Sequence, residues 1–79
     1  MREAIEMLVR GLVDEKDAVD VREVEAPRAT VIEIRVAASD VGKLIGRQGS
    51  TIRALRTVLH AASLKHGRRY ALEIVEDER

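Results

Sequence analysis

A two-layer α/β domain is the fold class this sequence predicts, with element order α-β-β-α-α-β and the helices on one face of a three-stranded sheet. Apolar residues recur at helical spacing in residues 2–13 and 50–66. They alternate at strand spacing in residues 18–25, 30–36 and 69–75. Gly46, Gly49, Gly67 and the one proline, Pro27, stand between these segments. A chain of 79 residues is long enough for one layer of helices on one sheet, so a single domain over residues 1–79 is expected.

The elements follow in order. In residues 2–13, Ile5, Leu8, Val9 and Leu12 fall at i, i+3, i+4 and i+7 and make one buried stripe, and the DEKD run at 14–17 ends the helix. Residues 18–25 and 30–36 read as strands around a turn at Glu25-Ala26-Pro27-Arg28. The second strand sets Thr30, Ile32, Ile34 and Val36 against Val31, Glu33 and Arg35. The first alternates through Val19 and Val21 and then slips phase to Val24, which predicts a bulge or a frayed end. Ser39 is expected to cap a short helix over 40–45, with Asp40 in its first turn. A longer helix runs from Ser50 or Thr51 to His66 and is capped by Gly67. Its core face gathers Ile52, Leu55, Val58, Leu59 and Ala62 within about a third of the circumference. The last strand, 69–75, sets Tyr70, Leu72 and Ile74 against Ala71, Glu73 and Val75, and the acidic end at 76–79 is expected to fray.

Composition removes several classes of function. Without cysteine there is no disulfide framework, thiolate zinc site or thiol nucleophile. The apolar stretches are a few residues long, far below the roughly 20 that span a membrane. The opening MREAIEM is acidic and amphipathic, unlike a signal peptide, so a cytoplasmic location is expected. His60 and His66 lie about 240° apart around one helix and cannot converge on a metal. Ser39, Ser50 and Ser63 have no evident His-plus-acid partnership. Neither catalysis nor a cofactor is expected.

The net charge of zero conceals a strong asymmetry. Residues 1–40 carry −4 and residues 73–79 carry −3. Between them, residues 41–72 hold Lys43, Arg47, Arg53, Arg56, Lys65, Arg68 and Arg69 with no acid, a block of +7. Such a block focuses a field on one face of a neutral protein. It also surrounds KLIGRQGSTI at 43–52, where Gly46 and Gly49 stand at a helix junction. Glycine inside a helix costs about 1 kcal/mol relative to alanine, so two together call for a reason. With no Cβ at the corners of a tight turn, another molecule's backbone can approach closely. The amides of Ser50 and Thr51 open the next helix and form an anion site. Lys43 and Arg47 add full charges, with arginine suited to phosphate geometry.

Other phosphate motifs do not fit. A P-loop places lysine after its second glycine, whereas Lys43 precedes the first, and a dinucleotide fold needs GxGxxG directly after a strand. An RRM stacks bases on sheet aromatics, and Tyr70 is the sole aromatic here. Leu44-Ile45-Gly46-Arg47-Gln48-Gly49-Ser50-Thr51-Ile52 resembles the apolar-Ile-Gly-x-x-Gly-x-x-apolar signature of the KH domain, whose GxxG loop clamps about four nucleotides. A helix and strand before residue 30, with one strand after the helix pair, resemble the type II KH topology. The likeness covers residues 2–75 and leaves no room for a second domain. Length and the runs VREVE, VIEIRVA, DVGKLIGRQG and IRALRTVL look most like the small bacterial KH proteins of the KhpA family.

That resemblance implies a cytoplasmic RNA-binding protein, an RNA chaperone or post-transcriptional regulator, that forms a homodimer or pairs with a larger KH protein, KhpB. The residues expected to hold single-stranded RNA are Lys43, Leu44, Ile45, Gly46, Arg47, Gln48, Gly49, Ser50, Thr51 and Arg53. Arg56 and His60 share the arc of Arg53 and are read equally well as solvated. Ala54, Thr57, Ala61 and Leu64 lie opposite the core face and form a strip where a second helix would pack, although an ordinary exposed face has the same composition. The alternative to an RNA clamp is a KH-shaped interaction module that has lost RNA binding. An acid inside the loop would favour that alternative, and Arg47 and Gln48 stand there instead. The short segment at Lys65–Arg68, where the groove's far wall would stand, predicts weak sequence preference.

Overall fold

The computed structural model describes the backbone of residues 1–77 and the side chains of residues 1–76. Its elements run α1 (Arg2–Arg10), β1 (Asp20–Glu25), β2 (Thr30–Ala37), α2 (Val41–Ile45), α3 (Ser50–His66) and β3 (Tyr70–Asp77). Short 3-10 turns at Lys16–Ala18, Ala38–Asp40 and Arg47–Gly49 lie between them. The order is the one the periodicities predict. β2 is central, antiparallel to β1 and parallel to β3. Parallel neighbours need a long crossover, and α2, the glycine loop and α3 supply it. Thr30, Ile32, Ile34 and Val36 are buried on the helical face of β2, while Val31, Glu33 and Arg35 are half-buried on the other. Against that helical face pack Ile5 and Val9 of α1, Leu44 of α2 and Leu59 of α3. Burying each such side chain contributes about 1.5–3 kcal/mol.

α1 stops at Arg10, three residues before its expected end. The Gly11 N–H donates to Met7 O and the Leu12 N–H to Val9 O, which tightens the last turn. Lys16 Nζ donates to Arg10 O at 2.7 Å and to Val13 O at 3.1 Å, satisfying carbonyls a longer helix would have used. The bend drops Val13 into the core at 3% exposure and leaves Leu8 and Leu12 at 46% and 42%. The buried line is therefore Ile5, Val9 and Val13. α3 departs from its expected core face in the same region: Leu55, Leu59 and Ala62 are buried, Ile52 is half-buried, and Val58 is 43% exposed. Leu8, Leu12 and Val58 instead line a groove between α1 and α3.

Three smaller expectations are also corrected. β1 pairs with β2 without a bulge, and Val24 lies opposite Val31 on the sheet face away from the helices. Its phase slip is a change of face. Ser39 does not cap α2, because it sits inside the 3-10 turn that ends at Asp40, and no side-chain cap bond is made there. β3 runs through Glu76 and Asp77, two of the residues expected to fray, because β2 extends to Ala37 and Ala37 pairs with Asp77. Residues 78–79 of that expected end lie outside the described residues. Gly67 does cap α3, with a left-handed φ of 64°.

Candidate nucleic-acid interface

α2 is held from below by Leu44, which is fully buried. Its last turn closes with Gly46 N–H donating to Gly42 O at 2.9 Å. The chain then turns sharply: Gly46 has φ 76° and ψ 172°, Gln48 φ 55° and ψ 28°, Gly49 φ 77° and ψ 15°, before Ser50 resumes helical geometry. Gly49 N–H donates back to Gly46 O at 3.1 Å. The two glycines are required for different reasons. A Cβ on Gly46 would stand 2.7 Å from the backbone nitrogen of Thr51, so this residue lets the loop close onto the first turn of α3. A Cβ on Gly49 would meet nothing nearer than Ile52 Cγ2 at 3.9 Å, and glycine serves there for its positive φ. The passage from left-handed Gly49 to right-handed Ser50 turns successive amides the same way, a geometry that cradles anions. It opens at the N-terminus of the 17-residue α3, which has no side-chain cap bond and no acid in its first turn.

Around this cradle, Arg47, Arg53 and Arg56 are exposed, and none of them is in an ion pair among the described residues. Ile45, at 41% exposure, and the half-buried Ile52 add an apolar patch beside the loop. Further along, α3 and the start of β3 enclose a groove of about 770 Å³ lined by Arg56, His60, Arg68, Arg69, Tyr70 and Leu72 among others. Sequence reasoning left Arg69 and Tyr70 out of the site. The signal was the basic pair directly after Gly67, at the turn that brings β3 back beside α3.

Two residues of the basic block are engaged elsewhere. Lys43 Nζ donates to Asp40 Oδ1 at 3.3 Å and forms a closer ion pair with Asp14. Arg68 pairs with Glu25 and donates through Nε to the buried hydroxyl of Thr30. The acids come from residues 1–40, so a stretch that is acid-free in sequence is partly neutralised in space. Lys43 and Leu44, expected at the interface, are thus an ion-paired residue and a core anchor. Gly46, Arg47, Gln48, Gly49, Ser50, Thr51 and Arg53 are brought together around the cradle, with Ile45 beside them.

Asp40 organises the base of the site. It is 1% exposed, and it accepts the Glu15 amide on Oδ2 at 2.9 Å and the Asp14 amide on Oδ1 at 3.2 Å. The Glu15 amide holds its carboxyl below the usual carboxylate range; burial opposes this, while the Asp14 amide and Lys43 reinforce it. The Lys43 ammonium is pushed up, chiefly by its hydrogen bond to Asp14. No buried side-chain nitrogen or oxygen lacks a partner among the described residues.

Ala54, Thr57, Ala61 and Leu64 are all exposed on α3. The structure divides them: Ala54 lines the groove against α1, and Leu64, 74% exposed, stands at the basic groove. Among the described residues, no cluster of three or more His, Cys, Asp or Glu could hold a metal, and no helix is long and apolar enough to cross a membrane.

A helix pair joined through Gly-x-x-Gly, crossing over between two parallel strands, is the architecture of a KH domain. Over residues 2–74 the chain matches the family described as KhpA/KhpB, KH domain. It is 47% identical over 74 residues to a Borreliella burgdorferi protein named RNA-binding protein KhpA, covering 94% of this chain and 90% of that one. The identity to the Aquifex aeolicus protein of the same name is 46% over 76 residues, 96% of each. To that of Caldanaerobacter subterraneus it is 41% over 75 residues, 95% of this chain and 100% of the relative. The chain belongs to the KhpA/KhpB KH-domain family.

Proposed function

We propose that this chain binds single-stranded RNA by seating phosphates on the amides at the start of α3, with Arg47 and Arg53 on either side. The observation that carries this reading is the uncapped N-terminus of α3, placed behind a left-handed glycine turn and flanked by arginines with no ion-pair partner among the described residues. The names of the relatives support RNA as the ligand. The strand then runs along α3, past Arg56 and His60, towards the basic groove, with bases against Ile45 and Ile52. Backbone clamping and the short Lys65–Arg68 segment make sequence preference weak. The element order and the parallel β2–β3 pair support a type II KH domain over residues 1–79. Its role is binding rather than catalysis, as a cytoplasmic RNA chaperone or post-transcriptional regulator.

The test is the double substitution R47D/Q48D. Aspartate tolerates the left-handed conformation at position 48, and neither side chain is buried, so the fold is retained. Titration of a fluorescent single-stranded RNA should show binding lost with the melting temperature nearly unchanged. Binding equal to the parent's would remove the clamp.

A second reading rests on the groove of about 390 Å³ between α1 and α3, lined by Leu8, Leu12, Ala54 and Val58 among others. We propose that this face, continued by Thr57 and Ala61 on α3, is where a second copy packs, or a larger KH protein of the KhpB kind. Apolar residues beside small ones let helices approach closely. The contact is at the low end of interface size, and the complex is concentration-dependent.

A further inference from the structure

We propose that Asp14 withholds Lys43 from the RNA backbone and thereby sets both the strength of the clamp and the side on which the strand leaves it; this rests on the RNA-clamp reading above. Lys43 lies on α2 one turn before Gly46, on the flank of the loop opposite in sequence to Arg53. Its side chain is 43% exposed, well placed to meet a phosphate, yet its ammonium is shared between Asp14 and Asp40. The two carboxylates differ in their other attachments. Asp40 is buried and holds the Asp14 and Glu15 amides, so it belongs to the fold. The Asp14 carboxylate is 77% exposed, and Lys43 is its only side-chain partner among the described residues.

Two carboxylates around one ammonium leave a net negative trio on the α2 flank, while Arg53 and Arg56 on the α3 flank are in no ion pair among the described residues. A phosphodiester seated at the loop is therefore repelled on one side and drawn along α3 on the other. Ion pairs as exposed as Asp14–Lys43 are weak in water. Loss of the Asp14 charge leaves Lys43 with one carboxylate and with donors to spare for a phosphate.

A double-mutant cycle decides this, using a fluorescent ten-nucleotide single-stranded RNA titrated at several salt concentrations. D14N should tighten binding about threefold and steepen the slope of log affinity against log salt by about 0.7, the value for one more neutralised phosphate on a single strand. In the K43Q background the same substitution should have little effect, because the cation it frees is absent. D14S repeats the measurement without a side-chain amide, and circular dichroism checks that each variant is folded. An equal gain in both backgrounds means that Asp14 acts through its own charge alone, which overturns the proposal, as does no gain in either. Unimpaired binding by R47D/Q48D overturns the clamp reading and this proposal with it. Loss of binding there with additive effects of D14N and K43Q overturns this proposal alone.

Discussion

Gly46 and Gly49 are one motif in the sequence and two physical problems in the structure. Both have positive φ, but only at Gly46 would a Cβ meet backbone, the Thr51 nitrogen at 2.7 Å. Gly46→Ala should therefore cost roughly 2–4 kcal/mol, because φ 76° with ψ 172° is backbone that essentially only glycine adopts and overpacking adds to it. Gly49→Ala has open space and should cost only the conformational part, about 1–2 kcal/mol. Urea unfolding of the two variants measures the difference directly. Equal costs would mean that Thr51 yields easily and that contact does not explain the first glycine. Gln48 shares the left-handed region without being glycine. Such strain clusters at functional sites, consistent with a loop shaped by what it binds.

At the scale of the element, α2 has five residues and no side-chain cap. Isolated helices this short do not persist in water, so the placement of the loop depends on how α2 is moored. Leu44 in the core is one mooring and Asp40 is the other. Because the folded carboxyl of Asp40 titrates below its ordinary value, its contribution is fully present above the unfolded pKa, about 3.9. That contribution fades as pH falls through the lower, folded value. Asp40→Asn should melt about 5 °C or more below the parent at pH 7, since a buried hydrogen-bonded charge is lost. The gap should narrow as pH falls below 4, where the parent loses the same interaction. Melting curves from pH 2 to pH 7 test this, and a gap that stays constant with pH would assign the loss to packing instead.

At the scale of the whole molecule, the charge that is segregated along the sequence is partly paired across it, and an apolar seam is left open between α1 and α3. Arg53 and Arg56 on α3 are in no ion pair among the described residues, and the α1–α3 groove exposes Leu8, Leu12 and Val58. If that seam is an interface, an unpaired charge within it should dissociate the assembly without unfolding the chain, since Val58 and Ala61 are both exposed. Val58→Asp and Ala61→Asp are each expected to sediment as folded monomers at concentrations where the parent is dimeric. A dimer indifferent to both would place the contact elsewhere. A monomeric parent would remove it.

Order and type of element were legible in the sequence because each depends on local periodicity. Ile32, Ile34 and Val36 alternate whatever lies around them, and Gly67 stops α3 through its own left-handed φ. The loop was legible because its two glycines stand within the apolar run Leu44-Ile45 to Ile52 and between two helices with a strand before and after, whereas the glycine spacing alone fits an ordinary helix hairpin. What lay beyond local reading was decided by partners distant in the chain. Val58 belongs to the apolar arc of α3, yet it is left 43% exposed in the groove between α1 and α3. Lys43 sits in an acid-free block, yet the carboxylate of Asp14, 29 residues away, pairs with it. Arg68 is engaged by Glu25 in the same manner. A hydrophobic period needs only its own element to be seen, whereas burial and charge pairing depend on which other elements arrive, and only the tertiary structure decides that.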